Sequence, residues 1–178
     1  MVSENELQIL INRHVIDTDR PFSAVLDGVF GGISQPGIEA LFSKLAASTS
    51  YEQFSVLVRQ AQGSAGLIRF LQLDLDAALT LDPQAQQWAG CRLVRLIAGN
   101  PVTTGQMTRH VPDAGSYAPV TILIQQRPDG GTRVAYDTVA SAIAPYHDAA
   151  ASQVAERLDA EVLDLLRQVT GVPASTAP

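Results

Sequence analysis

The segment TRHVPDAGSY, residues 108–117, gathers the side chains best suited to chemistry. His110 could act as a general base, Asp113 could orient it, and Tyr117 could donate a hydrogen bond. The alternative is a polar surface turn in which Arg109 forms an ion pair and the other polar groups face water. Both interpretations require that neighbouring elements hold this segment in one conformation.

A longer irregular segment, 99–119, contains this cluster and lies between two apolar runs. Pro101 restricts Asn100 to extended backbone, and Thr103 with Gln106 forms a capping-box pattern, so the segment should deliver a helix N-terminus beside a strand end. Such an N-terminus favours an anion, although a turn that serves only the chain path is the alternative. Ordered irregular segments of this length are uncommon and often bind something.

We therefore expect a small organic ligand in a cleft bounded by segment 99–119 and a later strand. An apolar framework with a few convergent polar groups is the usual form of a small-molecule site. The residues expected to contact the ligand are Asn100, Met107, Arg109 and Tyr136. A core position for Tyr136 is the alternative.

Two other functions remain open from the sequence. One is a cofactor-independent isomerase, lyase or hydrolase in which His110 is the general base and Asp113 or Tyr117 assists it. The other is an interaction or regulatory module whose function is dimer formation. Side chains of His110 and Tyr117 that point into one cavity would favour the enzyme.

Composition argues against several classes of protein. The net charge is −6 and the basic residues are scattered, so nucleic acid is not an expected partner. Cys91 is the only cysteine, and no two of the three histidines have the spacing of a helical metal site, so we expect neither a disulfide nor a metal. Since no dinucleotide fingerprint or Walker lysine occurs, we expect no cofactor.

The targeting signals expected of exported or membrane proteins are not evident. The stretch MVSENELQ is acidic where a secretory signal would be basic, and no run approaches the roughly 18 apolar residues of a membrane span. We expect a soluble, cytoplasmic protein with no membrane partner.

Apolar periodicity predicts the elements that would position these residues. A strand at 9–17 precedes three helices, the first capped by Asp19 and the third opening at Ser50. Four apolar runs then predict strands, and Asp-Gly in RPDGG predicts a hairpin between the last two. Between the first two of these strands we expect a turn or hairpin extension around Asp82 and Pro83. An amphipathic helix at 148–169 follows.

This order predicts an α+β fold, with an antiparallel sheet, helices on one face and an amphipathic C-terminal helix. If the other face is also apolar, a second subunit is its usual cover, and so we expect a homodimer. The 178 residues fit one domain over 1–171, followed by a flexible tail over 172–178.

The runs LVRLIAGNPVTTGQM and APVTILIQQRPDGGTRVAYDTVASAIAPY resemble the bacterial domain-of-unknown-function family numbered 302. The matching positions are Gly99, Asn100, Pro101, Met107, Pro119, Tyr136 and Asp137. The resemblance covers 66–169 as a core and makes 34–62 a helical insertion. It implies an α+β homodimer, with no settled activity and no catalytic residues to transfer.

Overall fold

The computed structural model describes residues 2–173, so residues 174–178 of the predicted tail lie outside it. The strands are β1 (Arg13–Thr18), β2 (Ile68–Asp74), β3 (Leu93–Gly99), β4 (Val120–Gln126) and β5 (Thr132–Asp137). The helices are α1 (Phe22–Gly32), α2 (Ile38–Ala46), α3 (Tyr51–Ala61), α4 (Asp76–Leu81), α5 (Pro101–Thr108), α6 (Val139–Ile143) and α7 (Ala149–Thr170).

The five strands form one antiparallel sheet in the order β1-β5-β4-β3-β2. The predicted α+β class with an antiparallel sheet is therefore confirmed. β4 and β5 form the hairpin that Asp-Gly predicted, and Gly130 in its turn has a φ of +90°, which favours glycine.

One face of the sheet is buried under helices. Leu96, Ile122 and Tyr136 point to this face and are almost inaccessible to solvent, because side chains alternate along each strand. The amphipathic helix α7 and the shorter α1 pack against them. Burial of these large apolar side chains is the main stabilising contribution to the fold.

The opposite face of the sheet, which we call the open face, carries a mixed set of side chains. Val15, Leu71 and Leu73 on the two edge strands are 50%, 48% and 37% exposed. The inner strands contribute half-buried apolar residues such as Leu123 to the same face. No helix within residues 2–173 buries this set of side chains.

Two predicted helix caps differ from the observed ones. Asp19 does not cap α1, which begins after Pro21 without a side-chain cap. Asn100, and not Thr103, caps α5, because the fixed φ of Pro101 starts the helix there and leaves Asn100 in the extended backbone that a cap requires. At α3 the predicted cap is confirmed, since Ser50 Oγ accepts a hydrogen bond from the Gln53 amide.

Of the turn or hairpin extension expected around Asp82 and Pro83, the turn is present at Pro83. No hairpin forms there within the described residues: helix α4 precedes the turn and a 3₁₀ turn (Gln86–Trp88) follows it. The first strand also begins at Arg13 and not at residue 9. In both places the local pattern is short and weak, and packing decides the backbone conformation.

Candidate functional site

Segment 99–119 folds into α5 and a 3₁₀ turn (Pro112–Ser116), and Asn100 anchors it. The Asn100 Oδ1 atom accepts hydrogen bonds from the amides of Val102 and Thr103, at 2.9 and 3.3 Å. Its Nδ2 atom donates to Gln62 Oε1 at 2.9 Å and to the Gly66 carbonyl at 3.0 Å. Asn100 therefore ties the start of α5 to the turn after α3.

Two of the expected ligand contacts lie in the core. Met107 is fully buried, and Tyr136 is 1% exposed. The Tyr136 hydroxyl donates to Asp159 Oδ1 at 2.5 Å, and the Asp159 carboxylate also accepts from the Val139 and Ala140 amides, each at 2.8 Å. This network joins β5, α6 and α7.

Burial raises the pKa of both groups in this network. Desolvation is the main cause for Tyr136, and the Asp159 carboxylate adds to it. Desolvation also raises the pKa of Asp159, although its three hydrogen bonds favour the charged form. The pair is closed off from solvent, so its geometry serves the packing of three elements.

The polar side chains of 109–117 mostly contact one another or neighbouring helices. The Arg109 Nε atom donates to His110 Nε2 at 3.2 Å, and His110 Nδ1 lies 4.0 Å from Asp148 Oδ2. The Tyr117 and Tyr146 hydroxyls are 3.1 Å apart. The acceptor nitrogen that a general base would use is thus occupied by Arg109 in this conformation.

Asp113 lies at the edge of the same cluster and is exposed. The hydrogen bond between the Tyr117 and Tyr146 hydroxyls, followed by partial burial and the nearby Asp113 carboxylate, raises the pKa of the Tyr146 hydroxyl. The cluster lies at the surface and contains two hydrogen-bonded pairs, Arg109–His110 and Tyr117–Tyr146. None of these four residues, nor Asp113, lines the helical groove or the two smaller hollows.

A groove of about 1000 Å³ lies between α1 and α7 and is closed at one end by the turn after α3. We call it the helical groove. Its wall includes Arg20 before α1, Gly31 on α1, Ser64 in the turn, and Glu161 on α7. Gln62 and Gly66, the two partners of Asn100, also line it.

Glycines bring the walls of the helical groove together. A Cβ atom on Gly32 would lie 2.4 Å from Leu165 Cδ1, and one on Gly28 would lie 2.9 Å from Val169 Cγ1. The two helices can cross this closely only because both positions lack a side chain. A Cβ on Gly31 would meet nothing within 4 Å, since that residue faces the open space.

The two ends of the helical groove differ in charge. At one end the Arg20 Nη1 atom donates to the Val169 and Gln168 carbonyls of α7, at 2.7 and 3.3 Å. Near the other end lies Glu161, which is exposed; partial desolvation raises its pKa, and Arg157 lowers it to a lesser degree. Asp164 between them pairs with Arg167 at 3.3 Å.

Two smaller hollows lie elsewhere on the surface. One, of about 430 Å³, is lined by apolar residues of α3 and by Val102 and Gly105 of α5, and so borders the start of segment 99–119. The other, of about 300 Å³, lies at the β4–β5 hairpin. Within residues 2–173 no three side chains of metal-ligand type converge, and no helix is long and apolar enough to cross a bilayer.

Fold and site together define a class: an α+β protein whose antiparallel sheet is covered on one face by helices that enclose a groove. The family model described as domain of unknown function DUF302 matches residues 43–169. The chain belongs to this family, which confirms the resemblance found in its sequence.

A solved structure has the same fold. It is the crystal structure of an uncharacterized conserved protein DUF302 from Bacillus stearothermophilus, with a TM-score of 0.58 and 13% sequence identity. The alignment covers 88% of this chain and 97% of that one. No curated protein matches the chain. Because the identity is low, the likeness concerns the fold alone.

Sequence reasoning did not find most of the helical groove. Asn100 was expected to touch a ligand, and the structure places it behind the wall, where it holds Gln62 and Gly66. The available signal was the spacing of Gly28, Gly31 and Gly32 in α1, which leaves one helix face without side chains. Glu161 gave no signal, since charged residues on an amphipathic helix are usual.

Proposed function

We propose that this protein binds a small organic ligand in the helical groove. The observation that carries the proposal is a cleft of about 1000 Å³ beside the core, in the size range of small-molecule sites, with polar side chains such as Ser64, Glu161 and Gln168 in its wall. The ligand would lie against the glycine face of α1, formed by Gly28, Gly31 and Gly32. Because these residues have no side chains, backbone atoms border the open space there.

Asn100 supports this location from segment 99–119. Its side-chain amide holds the Gln62 oxygen and the Gly66 carbonyl in place, so the turn that closes the groove has a fixed shape. A site built on fixed groups loses less entropy when a ligand binds. In this proposal the segment positions the site, and the polar cluster at 109–117 stays outside it.

A thermal-shift screen against a broad metabolite set tests the proposal with a variant that fills the groove. Gly31→Leu places a side chain in the open space without a backbone clash. The matched control is Gly105→Leu, because Gly105 is also helical and a Cβ there would also meet nothing within 4 Å.

We expect at least one compound class to raise the melting temperature of the natural protein and of Gly105→Leu, but not of Gly31→Leu. Ligand binding to the folded state alone stabilises it by mass action, so loss of the shift reports loss of the site. Equal shifts in all three proteins, or no stabilising compound in the set, would count against the helical groove.

We also propose that the protein is a homodimer that pairs through the open face. The exposed apolar side chains Val15, Leu71 and Leu73 support this, since large apolar patches on soluble proteins usually mark interaction sites. Ion pairs Arg13–Asp137 (2.6 Å) and Arg133–Asp17 (2.8 Å) border the patch as a polar rim.

Sedimentation or light scattering tests the dimer. The natural chain should have the mass of two 19.0 kDa subunits, and Leu71→Lys should shift it toward one. Leu81→Lys is the control, because Leu81 is 84% exposed on α4 and lies off the sheet. A monomeric natural chain at high concentration would refute this proposal and leave the ligand proposal standing.

A further inference from the structure

The two edge strands of the sheet differ in how their outer sides are protected. Along β2, the Ser34 amide donates to the Leu67 carbonyl and the Ser34 carbonyl accepts from the Arg69 amide, which covers the start of the strand. The register of β2 then shifts between Arg69 and Leu71, as at a bulge. Cover and bulges are usual protections of an edge strand against pairing with another chain. Strand β1 has a regular register and contains neither proline nor lysine.

The outer side of β1 presents backbone groups from every second residue. The Asn12 carbonyl accepts from the Thr138 amide at 3.0 Å, which fixes the phase of the pairing between β1 and β5. In an antiparallel pair the bonded positions recur every second residue, so the even-numbered residues of β1 turn their N–H and C=O groups toward β5. The others turn theirs outward: Arg13, Val15 and Asp17. No backbone or side-chain group within residues 2–173 bonds to these outward groups.

The side chains of the three outward residues are complementary to their own copy. If two β1 strands meet antiparallel about a twofold axis at Val15, Arg13 of one copy lies opposite Asp17 of the other. Within each copy Asp17 already pairs with Arg133 at 2.8 Å, and Arg13 pairs with Asp137 at 2.6 Å. A row of alternating charge would therefore cross the junction from one β5 to the other.

This register is the one that the charges select. A shift of two residues would place Arg13 or Asp17 opposite Val15, and a shift of four would place like charges opposite each other, which is destabilising. With the axis at Val15, the two Val15 side chains, each 50% exposed, would cover one another on the open face. The partner that fits this edge is thus a second copy of the chain.

We propose that β1 pairs antiparallel with β1 of a second copy about a twofold axis at Val15, so that two five-stranded sheets become one ten-stranded sheet. The contact uses the edge of the sheet and leaves the open face free, so it goes beyond the proposed dimer and would join two such dimers. It buries little apolar surface, and small interfaces are weak and transient. The pairing therefore forms at high protein concentration and dissociates at the lower concentrations of a sedimentation experiment.

Amide chemical shifts over a dilution series of the labelled full chain test the pairing. The chain carries Leu71→Lys, which removes the proposed open-face contact at the opposite edge of the sheet. As concentration rises into the millimolar range, the Arg13, Val15 and Asp17 amides should shift downfield, because a hydrogen bond deshields an amide proton. The His14 and Ile16 amides already bond to β5 and should shift less.

Val15→Pro in the same chain should abolish the concentration dependence at Arg13 and Asp17. It removes an outward donor and keeps the bonds to β5, since proline is tolerated on an edge strand where its nitrogen faces solvent. Val15→Thr is the matched control, because threonine is also β-branched and retains the N–H group. It should associate as its parent does.

A second pair of variants tests the register without a change in the backbone. Arg13→Asp and Asp17→Arg each place like charges opposite one another at both ends of the junction, so each alone should associate about tenfold more weakly. An equimolar mixture of the two restores opposite charges at both ends and should regain the parent affinity within about twofold.

Three results would overturn the proposal: amide shifts of the parent that do not change with concentration, equal loss in Val15→Pro and Val15→Thr, or a mixture as weak as its components. The open-face dimer is judged separately. If the natural chain is a dimer and the Leu71→Lys chain shows no concentration dependence, the edge pairing fails and the open-face dimer stands.

Discussion

Segment 99–119 and the helical groove both bring polar side chains next to a helix end, but they differ in what those side chains already contact. In the segment, Asn100 bonds to four backbone or side-chain groups, and His110 and Tyr117 bond to their neighbours. In the groove, Glu161 is exposed and has no hydrogen bond or ion pair with any residue in the range 2–173. The polar residues of the segment are therefore largely bonded to protein groups, whereas the groove offers open space for the ligand that we propose.

This comparison predicts that residues of the bonded network govern stability and that groove residues govern binding. The largest effect should come from Asp159→Ala, which leaves the Tyr136 hydroxyl and two amides of α6 without an acceptor. Buried donors without partners are costly, so we expect a loss of about 3 kcal/mol in the free energy of unfolding. Urea denaturation measures it.

The control for that prediction is Asp164→Ala on the same helix, because the Asp164 side chain is 72% exposed. It should change the free energy of unfolding by less than about 0.5 kcal/mol. A similar small loss in Asp159→Ala would show that the network around Tyr136 contributes little.

The next largest effect concerns the turn that closes the groove. A Cβ on Gly63 would lie 2.4 Å from the Gly32 carbonyl oxygen and 2.6 Å from the Ser34 amide nitrogen, so the backbone must move. Gly63→Ala should cost about 2 kcal/mol, as overpacking typically does. Gly31→Ala should instead raise stability by up to about 1 kcal/mol, since alanine favours a helix and the space is open.

Thermal unfolding of the two glycine variants side by side checks this contrast. Equal melting temperatures would mean that the turn can relax freely, and the fixed shape assigned to the groove end would be wrong.

A smaller effect is expected at the link between the two regions. Asn100→Ala removes the cap of α5 and should cost about 1 kcal/mol. It also releases Gln62 and Gly66, so affinity for any groove ligand should fall although Asn100 does not line the groove. Calorimetric titration of a screening hit against this variant checks the second effect; unchanged affinity would separate segment 99–119 from the site.

The smallest effect on stability should come from Glu161→Gln, within about 0.5 kcal/mol at neutral pH. Partial desolvation raises the pKa of the Glu161 carboxyl in the folded state. The protonated carboxyl therefore stabilises the fold at pH values below its ordinary pKa of 4.5, and this stabilisation is lost as pH rises through the pKa of the folded state. The variant should therefore lose less stability than the natural protein as pH rises from 4 upward.

Denaturation of both proteins over a pH series isolates this effect as a difference. The difference is needed because ion pairs lower the pKa values of Asp17 and Asp137, and those groups change stability in the opposite direction. A difference that does not vary with pH would show that the fold does not raise the pKa of Glu161.

Local sequence patterns predicted most of the strands and helices. The apolar period of α7 and the Asp-Gly turn between β4 and β5 act within a few residues, and both are where the sequence predicted them. The helical groove depends instead on residues far apart in the chain, such as Gly28 and Val169, whose contact no local pattern encodes. Asn100 was recognised from its position before Pro101, but its partners Gln62 and Gly66 are known only from the folded chain.

The two regions can be told apart most directly by hydrogen exchange. The full chain would be measured by mass spectrometry with and without a compound that stabilises it in the screen. The account predicts slower exchange in peptides from 28–34 and 62–66, which line the helical groove, and unchanged exchange in 109–117. Protection confined to 109–117, with the groove peptides unaffected, would contradict it.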